Sequence, residues 1–100
     1  MKYCFFIYIL TNHNNTSLYI GLTDNLIRRI RENKKEMNEK SFSSKYKCFK
    51  LVYFEEYKYI NNAINREKQL KRWNRKKKEF LINNQNLNWD DLYKKINYFI

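Results

Sequence analysis

Residues 18–30, LYIGLTDNLIRRI, contain the only glycine of a 100-residue chain that has no proline. The run Leu18-Tyr19-Ile20 is apolar and β-favouring, and it stops at Gly21. Beyond it, Leu26, Ile27 and Ile30 recur at helical spacing behind Thr23 or Asp24, either of which can cap a helix N-terminus. One short segment therefore reads as a strand, a flexible point and an amphipathic helix.

Working outward, residues 3–10 form a nearly unbroken aromatic and β-branched run, separated from Leu18 by the turn-forming TNHNN. That pattern is a hairpin. A four-residue loop, Asn12–Asn15, sets Tyr8 directly opposite Tyr19; a two-residue Asn14-Asn15 turn slides the register but keeps both tyrosines on one face. Downstream, the helix stripe extends to Met37, and CFKLVYFEEY (48–57) reads as a third strand. A second helix starts near Ile60 and continues or kinks through KRWNRKKKEFLI (71–82), and NWDDLYKKINYF (88–99) reads as a short closing helix. The linkers are too short for a second domain, so residues 1–100 are expected to form one. The order β-β-α-β-α-α implies a mixed α/β (α+β) fold, a small three-stranded antiparallel sheet flanked by helices.

Hydrophobic residues make up 43% of the chain, enough for a core, which excludes a disordered polyelectrolyte. Twenty-one Lys and Arg against ten acids leave a net charge of +11, which favours a polyanionic partner, nucleic acid or an anionic membrane surface. The bias towards Lys, Asn, Ile and Tyr is also what an AT-rich genome produces. Cys4 and Cys48 are isolated and there is one histidine, so neither a zinc site nor a disulfide framework is indicated, and reduced cytoplasmic thiols fit best. The opening YCFFIYIL makes a poor signal peptide, and no segment is long enough to span a bilayer.

Three features carry chemistry. Glu67 falls near the centre of the stripe formed by Ile60, Ala63, Ile64 and Leu70, and a carboxylate aimed at a core needs a cation, a metal or a strong donor; a stripe-edge salt bridge serves equally. Arg29 sits beside the apolar stripe of the first helix and offers a rigid donor fork for phosphate oxygens, with Arg28 and Arg31 on the solvent side. Tyr8 and Tyr19 share a sheet face, which by itself is also ordinary cross-strand packing. The run KQLKRWNRKKKEF (68–80) adds seven basic side chains around Trp73, a phosphate-tracking surface in which Trp73 either stacks on a base or fills the core.

Taken in order, Tyr8, Tyr19, Gly21, Arg29 and Glu67 resemble the GIY-YIG nuclease superfamily, in particular its small stand-alone members related to the N-terminal nuclease of the excision-repair subunit that incises DNA. FIY (6–8) stands at the first tripeptide, with Phe6 where the family has glycine, and YIG (19–21) matches the second. TDNLIRRI, KLVYFEEY, AINREKQLKRW and NLNW (86–89) resemble the segments that follow. The resemblance implies a metal-dependent endonuclease hydrolysing phosphodiester bonds in DNA, in repair, recombination or mobile-element processing, with RNA left open as substrate. It implies Mg²⁺ or Mn²⁺ bound by Glu67 and waters. Tyr8 is implied as general base or water-orienting group, its phenolate favoured by nearby positive charge. Tyr19 and Arg29 are implied to position the phosphate and neutralise its charge. Gly21, Arg28, Asn33, Lys68, Lys71, Arg72 and Asn86 are the candidate nucleic-acid contacts. Gly21 is expected to leave room for the substrate backbone and the first helix.

Asn33 stands where relatives place His or Tyr, and an amide cannot exchange a proton. The alternative reading is thus a GIY-YIG-like module that binds nucleic acid without turnover. A basic protein of ribosomal type requires the ordered set to be coincidence. A cytoplasmic monomer or weak dimer without membrane attachment is expected, with a protein partner as one route to targeting.

Overall fold

The computed structural model describes residues 4–35 and 47–96; the predicted positions of Tyr3, Met37 and residues 97–99 lie outside them. The elements are β1 (Phe5–Thr11), β2 (Leu18–Thr23), α1 (Leu26–Lys35), β3 (Lys50–Tyr57), α2 (Ile60–Arg72), α3 (Arg75–Gln85) and α4 (Leu92–Ile96). The strands form an antiparallel sheet in the order β2-β1-β3. Strand alternation divides the core in two. Ile7, Ile9 and Ile20 meet Ala63, Leu70 and Ile82 of α2 and α3 on one face. Tyr8 and Leu10 meet Leu26 and Ile30 of α1 on the other, with Leu92 and Ile96 of α4 alongside. β1 is covered on both faces, which explains its continuous apolar run. Among the described residues no helix is long and apolar enough to cross a membrane.

The hairpin takes the second of the two registers open to the sequence, the one centred on Asn14 and Asn15, rather than the direct tyrosine pairing. Tyr8 lies opposite Gly21, and Tyr19 opposite Leu10. Asn12 organises the loop: its Oδ1 accepts from the backbone N–H groups of Thr16 (2.8 Å) and Ser17 (3.0 Å), and its Nδ2 donates to Thr16 Oγ1 (2.6 Å). Asn15 supplies the left-handed turn residue at φ 59°. Parity is preserved, so the tyrosines share a face on a diagonal.

Two helix boundaries also differ. Asn25, not Thr23 or Asp24, caps α1, its Oδ1 accepting from Arg28 N at 3.1 Å, while Thr23 Oγ1 accepts from Asn25 N. The long second helix is divided at Trp73 and Asn74, where the backbone is extended and Asn74 Oδ1 caps α3 through Lys77 N (2.9 Å). Ile60, placed in the apolar stripe by its spacing, is exposed at the start of α2.

β3 is an edge strand, and side chains cover its outer rim. Gln85 bonds both the N–H and the C=O of Phe54, and Asp91 Oδ1 accepts from Leu51 N. A register shift makes a bulge at Val52, whose carbonyl accepts from Asn86 Nδ2 (3.1 Å). These caps leave little open edge for another strand to pair with.

On the α2 face, Glu55 receives Nε and Nη2 of Arg66 (2.9 Å each), Tyr57 Oη (2.6 Å) and Tyr53 Oη. Burial alone would raise its pKa, but the Arg66 and tyrosine hydrogen bonds outweigh burial and hold the carboxyl below its ordinary value, while burial and Glu55 push Tyr57 up to about 12. A carboxyl depressed on folding adds stability above its unfolded pKa and loses it as pH falls through the folded value. Glu55→Gln is expected to lower stability by about 1.5–3 kcal/mol at neutral pH. It should also flatten the acid limb of a stability–pH profile below about pH 4.5; urea titrations across pH check both.

Candidate active site

Gly21 is needed for space rather than for a special backbone angle, since its φ is not positive. Because Tyr8 pairs with it, the phenol ring lies directly over its Cα, and a Cβ there would stand 2.3 Å from both Cζ and Oη of Tyr8. On the side where a side chain would stand, the room expected for substrate backbone is occupied by Tyr8. Gly21→Ala is expected to cost about 1–3 kcal/mol through overpacking. This would appear as a Tm fall of roughly 5–20 °C in a thermal melt.

Tyr8 is 1% exposed, and Tyr19 stands beside it with ring centroids 6.3 Å apart. α1 starts directly after β2 and folds back over this face, which brings Arg29 to the pair. Its Nε donates to Tyr8 Oη at 3.4 Å, and its guanidinium also interacts with Tyr19. Burial raises the Tyr8 pKa and outweighs the lowering by Arg29. The positive charge of Arg29 therefore does not by itself bring the Tyr8 pKa below its ordinary value. Tyr8, Tyr19, Gly21 and Arg29 thus form one cluster on the α1 face.

Asn33, one turn beyond Arg29, is 4% exposed, and its Nδ2 has no hydrogen-bond partner among the described residues. Its amide faces the Tyr8 phenol weakly, the smallest of the influences on that group. An unsatisfied buried donor costs about 1–3 kcal/mol, so such groups are rare unless something else occupies them.

Beside the cluster a cleft of about 390 Å³ is lined by Asp24, Arg28, Arg29 and Glu32, with Phe5, Leu22, Thr23 and Ile60 completing its walls. Arg28 is exposed there and pairs with Asp24 and Glu32, each at 3.4 Å. Glu67 belongs to α2, on the opposite sheet face, between buried Ala63 and Leu70. Its side chain is 21% exposed and its carboxylate pairs with Lys71 at 3.3 Å. α2 packs across all three strands from the face opposite the tyrosine–arginine cluster, so the sheet separates the helix that carries Glu67 from that cluster.

Asn86 does not join them. It is 6% exposed, its Nδ2 donates to Val52 O and Asp90 O, and its Oδ1 accepts from Asp90 N. Committed in this way it fixes the end of α3 to the β3 bulge, and it has no donor left for a phosphate. Lys68 and Arg72 lie exposed on α2 near Trp73, which packs half-buried against the core. Arg66 and Lys77 approach the Trp73 ring at 5.1 and 5.8 Å from its centroid. Sequence reasoning missed the exposed Phe80 and the Glu55–Arg66 pair. The alternation Tyr53, Glu55, Tyr57 within YFEEY places a carboxylate on a buried face and was the signal for the pair.

Comparison with curated proteins gives no match. Among solved structures, the chain is similar to a UPF0213 protein from Bacillus halodurans determined by solution NMR, with a TM-score of 0.57 and 24% identity over 88% of this chain and 92% of that one. At that identity the likeness shows the fold. A match to the GIY-YIG catalytic domain runs over residues 4–80 and takes in Tyr8, Tyr19, Gly21, Arg29, Asn33 and Glu67; with both tyrosines and the arginine meeting on one face, the chain belongs to the GIY-YIG family.

Proposed function

We propose that this nuclease-type domain is a divalent-metal-dependent endonuclease that hydrolyses phosphodiester bonds in DNA. The observation that carries the reading is the Arg29 guanidinium, which donates to the buried Tyr8 phenol and also lines the adjoining cleft with Arg28. Arg29 keeps donors for phosphoryl oxygens, and in a partly desolvated site such donors stabilise charge developing in the transition state. Of the two roles open to Tyr8, a phenol whose pKa is raised supports orienting a water or phosphate rather than removing its proton. Tyr19 positions the phosphate beside it, and the orphan Nδ2 of Asn33 offers one more donor.

Glu67 would hold the metal. A single partly exposed carboxylate is an oxygen donor suited to Mg²⁺ or Mn²⁺ that keep most of their waters, and the exposed Lys71 ammonium that pairs with it at 3.3 Å gives way to the ion. Such an ion supplies charge neutralisation at the phosphate and a more acidic water. Exposed Lys68 and Arg72, with Lys71 beside the glutamate, hold the nucleic-acid backbone.

Purified protein incubated with labelled single-stranded, duplex and branched DNA, and with RNA, in Mg²⁺ or Mn²⁺ tests the reading. Cleavage of DNA supports it. Binding without cleavage across the panel supports the second reading, a binding module, which Asn33 favours because it cannot shuttle a proton.

A further inference from the structure

At the corner between α2 and α3, a groove of about 490 Å³ is lined by Trp73, Lys76, Lys77 and Phe80. Phe80 is 68% exposed there, an aromatic ring set among cations rather than in the core. A second groove of about 400 Å³, lined by Lys68, Arg72 and Trp73 among others, adjoins it across the indole. Among the described residues, no carboxylate pairs with Lys68, Arg72, Lys76 or Lys77, whereas Arg75 beside them is committed to Glu79 and to the Thr16 carbonyl. The two grooves share the Trp73 indole as a wall, and together they carry four cations without a carboxylate partner and one open ring. The second groove begins on the helix that carries Glu67, and Arg72 lies about 8 Å further along that axis.

We propose that this corner is a binding site for an unpaired nucleic-acid strand, with a base stacked on Phe80 and its flanking phosphates held by Lys76 and Lys77. Charge complementarity selects the occupant, since four cations without a carboxylate partner repel a basic partner and favour a polyanion. The ring selects the single strand, because bases in a duplex are already stacked and present no face to it. The inference rests on the proposal of a nucleic-acid substrate and names the strand state it prefers.

The test is binding of a fluorescein-labelled 15-nucleotide single strand and of a matched duplex, by anisotropy, in EDTA so that cleavage does not intervene. Phe80→Ala is expected to weaken single-strand binding about tenfold and duplex binding little, with Phe80→Trp retaining affinity. Removing Lys76 and Lys77 together should reduce the salt slope for the single strand by about 1.4. Phe80 is exposed, so its variants are expected to melt like wild type. Equal affinity of Phe80→Ala and wild type for the single strand overturns the inference, as does equal weakening for both probes. Because only binding is read, a protein that binds in this manner but never cleaves upholds this site while defeating the endonuclease proposal.

Discussion

Glu67→Ala is expected to reduce cleavage by roughly 10³-fold or more while nucleic-acid affinity stays close to wild type. The size follows from the role of a metal at the phosphate, which is worth several kcal/mol of transition-state charge stabilisation, and about 4 kcal/mol corresponds to about 10³-fold in rate. Binding should survive because the basic surface on α2 and α3 does not depend on the carboxylate. The fold should survive as well: Glu67 is partly exposed, and its ion pair with Lys71 is an i,i+4 pair of modest worth. Single-turnover cleavage and anisotropy on the same preparations separate the two effects. Loss of binding together with cleavage would show that Glu67 organises the surface rather than the reaction.

Arg29→Ala is expected to lower the cleavage rate about 10²–10³-fold, the loss associated with one preorganised donor at a developing oxyanion. The side chain is 42% exposed and its Glu32 contact is long at 3.8 Å, so a stability explanation is weak. Arg29→Lys keeps the charge but not the fork that reaches Tyr8 and a phosphate together, and should recover only part of the rate. A full recovery by lysine would mean that charge alone matters.

The element order and the shared face of Tyr8 and Tyr19 were legible because both depend on local periodicity. The face of a strand residue follows from parity alone, whatever the loop length. What could not be read was set by side chains acting at a distance. Asn12 caps two backbone groups of the hairpin loop, and this decides between the two registers open to the sequence in favour of the diagonal one, which places Tyr8 over Gly21. Asn86 looked like a substrate contact because the bulge at Val52 that it satisfies has no signature in the sequence. Trp73 and Phe80 are close in the chain, yet the break at Asn74 leaves the first against the core and the second in solvent. Neither burial nor its effect on the Tyr8 phenol is visible before α1 is seen folded over it.

The measurement that tests the central claim most directly is cleavage of labelled DNA by wild type in Mg²⁺, in Mn²⁺ and in EDTA, with Glu67→Ala prepared identically. The account predicts incision with either metal, none in EDTA and none by the variant. Cleavage that persists in EDTA, or passes undiminished to Glu67→Ala, would contradict it.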